Sequence, residues 1–140
     1  EISECLVGSE MCIRDRSEIE KQMTLIRKFG CRHIVIATRG AKGALVMVDG
    51  RLYEQSPCLV EAVDTMGAGD SFITCFLINY VDAMKDSRDF PAASGTKGTV
   101  TAADYQDLAV RTSLYRAAVY SAGNCQKDGS FGFGKVFQNE

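Results

Sequence analysis

Asp49 and Gly50 stand between two β-prone runs in GALVMVDGRLYEQ, and no other dipeptide constrains the fold of this chain so tightly. Asp-Gly supplies the backbone that a two-residue turn needs, so the runs are predicted to pair as a hairpin. Upstream, SEIEKQMTLIRKFG reads as an amphipathic helix, with Ile19, Met23 and Ile26 at i, i+4 and i+7. Ser17 is placed to cap it, Glu20 to complete a capping box, and Gly30 to end it. RHIVIAT then reads as a β-branched strand of the buried, parallel kind.

After the hairpin, CLVEAV reads as a further short strand. AGDSFITCFLINYVDAMK is apolar on most sides and is expected to be a helix covered on two faces. DSRDFPAASGTKGTV has the composition of a surface loop. A second long helix is predicted to start at Thr101, an N-cap with Asp104 three residues on. Its expected apolar stripe is Tyr105, Leu108, Thr112, Tyr115, Val119 and Ala122. The tail DGSFGFGKVF reads as a glycine–aromatic turn. This order of elements predicts an α/β fold with helices on the faces of a sheet.

At 140 residues, 46% hydrophobic and 24% charged, the chain reads as a soluble globular domain or a piece of one. A net charge of −2 offers no basic field for nucleic acid and no anchor for an acidic membrane. No apolar run approaches a membrane span, and the start carries no secretory pattern. The six cysteines never fall as C-x-x-C, so reduced thiols in a cytoplasmic protein are expected, without a zinc or redox site. Residues 1–15, EISECLVGSEMCIRD, have no helical or strand period. Residues 5–15 match the translation of a transposase sequencing adapter without mismatch. This segment is therefore read as non-native and expected to be disordered, with native sequence from Arg16.

DTMGAGDSF, residues 64–72, sets two acids around a glycine turn at the start of the apolar helix. The amides of Gly67, Ala68 and Gly69 fall where no intrahelical acceptor reaches them. Glycine admits a ligand to the backbone and the helix dipole favours an anion, so this end suits a phosphate. Asp70 would repel that phosphate unless it had work there. Accepting the proton of an attacking hydroxyl is such work, and it needs only modest basicity because the proton leaves late in phosphoryl transfer. Taken alone, an acid in a first turn complements the helix dipole just as well. A dinucleotide fingerprint lacks its third glycine, and GSFGFGK is followed by Val136 where a P-loop needs Ser or Thr. His33 reads as a surface or edge residue, and Tyr105, Tyr115 and Tyr120 as helix packing.

DTMGAGDSF resembles the signature D-T-x-G-A-G-D of the ribokinase-like (PfkB) carbohydrate kinases. VIATRGAKGALVMVDGRLYE is similar to that family's strand, T-x-G-x-x-G turn and hairpin. The likeness covers nearly all of residues 17–137 but only the C-terminal portion of a family member. DTMGAGDSFI and GSFGFG look most like the fructoselysine 6-kinase branch. The resemblance implies the C-terminal part of a three-layer α/β/α sandwich with a mostly parallel sheet and a β-hairpin. Residues 16–140 would be the ATP-binding, catalytic part, with the N-terminal substrate-binding part missing.

The implied activity is ATP-dependent phosphorylation of a sugar hydroxyl. By resemblance, Asp70 is the catalytic base and Gly67, Ala68 and Gly69 are the anion hole for the γ-phosphoryl group. Thr38, Gly40 and Gly43 would line the nucleotide phosphates and ribose. Asp64 would help hold a monovalent cation, K⁺, beside the turn of residues 129–134, or simply cap its own turn. Mg²⁺ would travel with ATP, held by phosphates and water, so no protein metal ligand is assigned. Ala118 stands where many members carry an asparagine near adenine, and the family's N-x-x-E motif would fall before Ser17. Implied partners are a small-molecule sugar or glycated amino acid, and the full-length protein admits a homodimer. Other members act on fructose, keto-deoxy sugar acids or nucleosides. A nucleotide-binding module without catalysis is the rival from another class.

Overall fold

The computed structural model describes residues 16–31, 33–89 and 101–129. Expectations for residues 1–15, for most of the 86–100 loop and for the tail beyond Gly129 lie outside them. The chain divides into two compact units, Glu1–Pro57 and Cys58–Glu140.

The first unit is a helix on a three-stranded sheet. Helix α1 (Arg16–Lys28) already includes Arg16, so Ser17 sits within its first turn and not at its cap. Its buried stripe is Ile19 and Met23, packed with Val35, Leu45 and Met47. Ile26, expected to extend the stripe, is exposed. The chain turns back at Gly30, where φ is 119°, and Cys31 packs against the core instead. The Gly30 amide bonds Arg27 O at 3.1 Å and the Cys31 amide bonds Ile26 O at 3.4 Å, the paired closure of a Schellman motif.

Strands β1 (Ile34–Thr38), β2 (Ala44–Val48) and β3 (Arg51–Gln55) lie in that order. Val48 faces Arg51 across the hairpin, and Asp49 (φ 47°) and Gly50 (φ 91°) make the turn. Two consecutive positive φ values are the mark of a type I′ turn, as Asp-Gly promised. β2 is central and buried along its whole length. β1 corrects the sequence reading: it pairs with β2 antiparallel, with Thr38 opposite Ala44. Only the short 3₁₀ turn Gly40–Lys42 joins them, and a parallel pair needs a crossover of a dozen or more residues. No parallel pair occurs among the described residues.

The second unit is an antiparallel pair of helices, α2 (Ala68–Asp89) and α3 (Ala102–Cys125). Tyr105 Oη donates to Ala83 O at 3.0 Å at one end, and Ser121 Oγ to Ala68 O at 2.8 Å at the other. Thr101 caps α3 with a full capping box: Asp104 N donates to Thr101 Oγ1 at 3.1 Å, and Thr101 N to Asp104 Oδ2 at 3.0 Å. α2 buries Phe72, Phe76 and Tyr80, with the last two rings stacked at 5.8 Å. Leu77, Ile78 and Val81 are exposed, so one face of α2 is covered by described residues, not two.

The apolar stripe of α3 also differs from expectation. Leu108 and Tyr115 are 63% and 65% exposed, Tyr120 is exposed too, and the buried face is Ala109, Val110, Ser113, Leu114, Ala117, Ala118 and Ala122. Small side chains let two helix axes approach closely, and that contact selects the face. Of the three tyrosines read as packing, Tyr105 alone bonds to α2. CLVEAV is not a strand: it has no ladder partner among the described residues, and Leu59 is 83% exposed. Residues 86–89, expected as loop, extend α2.

Candidate functional site

Residues 64–70 form the head of α2. Asp64 Oδ1 accepts the Met66 amide at 2.8 Å, an Asx turn that starts the bend. The Ala68 amide then reaches back to Thr65 O at 3.2 Å. Gly67 is third in that turn with φ 73°, the type II requirement that favours glycine there. Ser71 N bonds Gly67 O at 2.9 Å and the helical ladder begins.

That arrangement splits the three expected donors. The Ala68 amide is closed into the turn, whereas the amides of Gly67, Gly69 and Asp70 have no acceptor among the described residues. The Asp70 side chain is exposed and likewise has no partner among the described residues. Helical side chains lean toward the N-terminus, the end at which these amides are open. Partial positive charge from the helix dipole and a carboxylate thus share one helix end.

The loop is held from the far end of the partner helix. Cys125 O accepts the Val63 and Asp64 amides at 2.8 and 3.1 Å, and Gly129 N donates to Asp64 Oδ2 at 3.3 Å. Asn124 Nδ2 donates to Met66 O at 3.4 Å. Ser121 and Ser71 both donate to Ala68 O, at 2.8 and 2.9 Å. Sequence reasoning missed Ser121 and Asn124. The available signal was a serine and an asparagine at i and i+3 on a helix face otherwise lined by alanines.

Thr38, Gly40 and Gly43 lie in a different turn, within the first unit. Thr38 ends β1 and is exposed. Gly40 and Gly43 have φ 56° and 83°. The turn is tied by Arg39 N to Gly43 O at 2.8 Å, Lys42 N to Arg39 O at 3.1 Å and Gly43 N to Gly40 O at 3.0 Å. A Cβ on Gly43 would overlap the carbonyl oxygen of Gln55, so glycine alone fits. Arg39 Nη2 clamps the turn by donating to Lys42 O at 2.9 Å and Glu54 Oε1 at 2.7 Å. The hydrogen bond from Arg39, aided by the charge of Arg16, holds the Glu54 carboxyl below its usual range.

Among the described residues no group of three His, Cys, Asp or Glu side chains could hold a metal ion. Each Asp64 carboxylate oxygen accepts an N–H, Oδ1 from Met66 and Oδ2 from Gly129, so this carboxylate braces the turn. The four described cysteines, Cys31, Cys58, Cys75 and Cys125, are free thiols. Among the described residues no helix is long and apolar enough to cross a membrane.

Residues 4–103 match the pfkB family carbohydrate kinases. The chain belongs to that family. Among its pfkB relatives, fructosamine kinase FrlD of Bacillus subtilis (strain 168) is 31% identical over 133 residues, 95% of this chain and 37% of the relative. Ribokinase from Giardia lamblia superposes with a TM-score of 0.60 at 21% identity, covering 84% of this chain and 33% of that one. Fructokinase from Vibrio cholerae O395, solved with fructose, ADP and calcium ion bound, gives 0.57 at 23% identity, with 81% and 30% covered. At such identities these likenesses speak for a shared ribokinase-like α/β fold. The chain spans about a third of the length of the relatives it matches.

Proposed function

We propose that this chain is the ATP-binding, catalytic-base part of an ATP-dependent sugar kinase whose complete form includes a further, substrate-binding part. The observation that carries the reading is the Asp70 carboxylate, without a partner among the described residues, on the same helix end as the open amides of Gly67 and Gly69, in a pfkB-family chain. In this reaction a sugar hydroxyl oxygen attacks the γ-phosphorus of ATP. The new O–P bond forms as the bond to the β–γ bridging oxygen breaks, and that oxygen leaves with its electron pair on ADP. Asp70 takes the hydroxyl proton. Gly67 and Gly69 donate to the transferring phosphoryl oxygens, and Ala68 joins them by giving up its turn bond to Thr65.

Thr38, Gly40 and Gly43 serve the nucleotide phosphates and ribose. Mg²⁺ would arrive with ATP and would supply neutralisation of phosphate charge, with no ligand for it assigned to this chain. The favoured acceptor is the primary hydroxyl of a glycated amine such as fructoselysine, because the fructosamine kinase relative aligns with 95% of this chain. The enzyme is read as cytoplasmic, and the full-length protein admits a homodimer, which size-exclusion chromatography tests. Residues 1–15 are read as adapter-derived, and re-sequencing the gene across the Arg16 codon tests that.

Asp70→Asn in the full-length kinase is expected to lower turnover at least about a hundredfold with ATP affinity nearly unchanged. Near-normal turnover refutes the base. The 140-residue chain alone is expected to phosphorylate nothing. Measurable ATP-dependent phosphorylation by it would contradict the division into parts. A phosphorylation screen over fructoselysine, fructose, keto-deoxy sugar acids and nucleosides assigns the acceptor.

A further inference from the structure

Two of the three open amides at the head of α2, those of Gly67 and Gly69, belong to peptide units whose carbonyls are gripped from behind. A peptide is planar, so a carbonyl and the N–H that follows it point in opposite directions as one rigid unit. The Met66 carbonyl shares a unit with the Gly67 N–H, and it accepts from Asn124 Nδ2 at 3.4 Å. The Ala68 carbonyl shares a unit with the Gly69 N–H, and it accepts from Ser121 Oγ at 2.8 Å. Asn124 is buried and Ser121 half-buried. A helical serine ordinarily bonds a carbonyl of its own preceding turn, as Ser71 does with Ala68 O. Ser121 instead crosses to the neighbouring helix.

Resting on the phosphoryl-site reading above, we infer that Ser121 and Asn124 are positioning residues that aim the Gly69 and Gly67 amides at the transferring phosphoryl group. Holding each carbonyl fixes the direction of the N–H on the other side of the same plane. It also polarises that peptide, which strengthens the N–H as a donor. The donors are thus oriented before the ligand arrives, the condition under which backbone dipoles stabilise developing charge most.

The test uses the full-length kinase and two probes, ADP alone and ADP with aluminium fluoride, a mimic of the transferring phosphoryl group. Ser121→Ala removes the hydroxyl while raising helix propensity, so it is not expected to unfold α3. Asn124→Asp keeps the shape but turns an acceptor toward the Met66 carbonyl. Calorimetry is expected to show affinity for the mimic falling about tenfold in each variant, the worth of one hydrogen bond, with ADP affinity unchanged. Ser121→Thr, which keeps the hydroxyl, is expected to restore it. The inference is overturned if the variants keep the wild-type preference for the mimic. It is equally overturned if both affinities fall together with the urea midpoint, the pattern of a merely structural role. A wild-type enzyme that does not prefer the mimic over ADP overturns the phosphoryl-site reading itself, a result separable from the other two.

Discussion

The two glycine turns of this chain are built on opposite principles. The turn of residues 38–43 is held mainly from within: its three backbone bonds each span three or four residues, and Arg39 adds a clamp to Lys42 O and to Glu54 on the adjoining hairpin. The head of α2 is held from outside, by Ser121, Asn124, Cys125 and Gly129, which lie more than fifty residues along the chain. Gly43 is glycine for want of space, and Gly67 for its backbone angle. A self-held turn keeps its shape through local sequence. An externally held one can leave amides open, because its rigidity does not depend on their being bonded.

Breaking the self-held turn should cost most. Gly43→Ala pays for a positive φ and for a collision with the Gln55 backbone, together about 3 kcal/mol or more, read by urea denaturation. Stability within 1 kcal/mol of wild type would show that the hairpin yields there. Gly67→Ala carries the backbone strain of a positive φ, about 1 kcal/mol in the same assay. Its turnover in the full-length kinase should fall further than that, at least about tenfold, because a Cβ crowds the approach to the amides. A drop in turnover no larger than the drop in stability would make the two turns alike.

The smallest effect expected is at Glu54, a partly exposed ion-pair partner of Arg39 and Arg16. Glu54→Gln should cost under about 1 kcal/mol at neutral pH. Since the folded carboxyl titrates below its ordinary value of 4.5, its contribution is present above that pH. It is lost as pH falls through the depressed folded value. The variant should therefore lose less stability than wild type between neutral pH and strongly acid pH, and parallel acid-denaturation curves would count against the clamp.

Legibility followed the same division. The Asp49-Gly50 hairpin, the Thr101–Asp104 capping box, the Gly30 helix stop and the start of α2 are each decided within a few residues, and each could be read directly. The face of α3 could not. Periodicity favoured Leu108, Tyr115 and Val119, yet the buried side is the alanine-rich one, because closeness to α2 selects for small residues. Likewise CLVEAV has the composition of a strand, but a strand exists only where a neighbour accepts its bonds.

By itself the sequence determined the Asp49-Gly50 turn, the Gly30 stop of α1, the Thr101 cap of α3 and the pattern that marks this chain as a carbohydrate-kinase relative, since each rests on backbone preferences and spacings inside one short segment. Tertiary structure alone decided which amides at the head of α2 stay open, that Asp64 shapes a turn, and that Ser121 and Asn124 grip the carbonyls behind those amides. Those outcomes depend on two antiparallel helices packing with the start of one beside the end of the other, and the sequence of either segment does not say which residue of the other its polar side chains will meet.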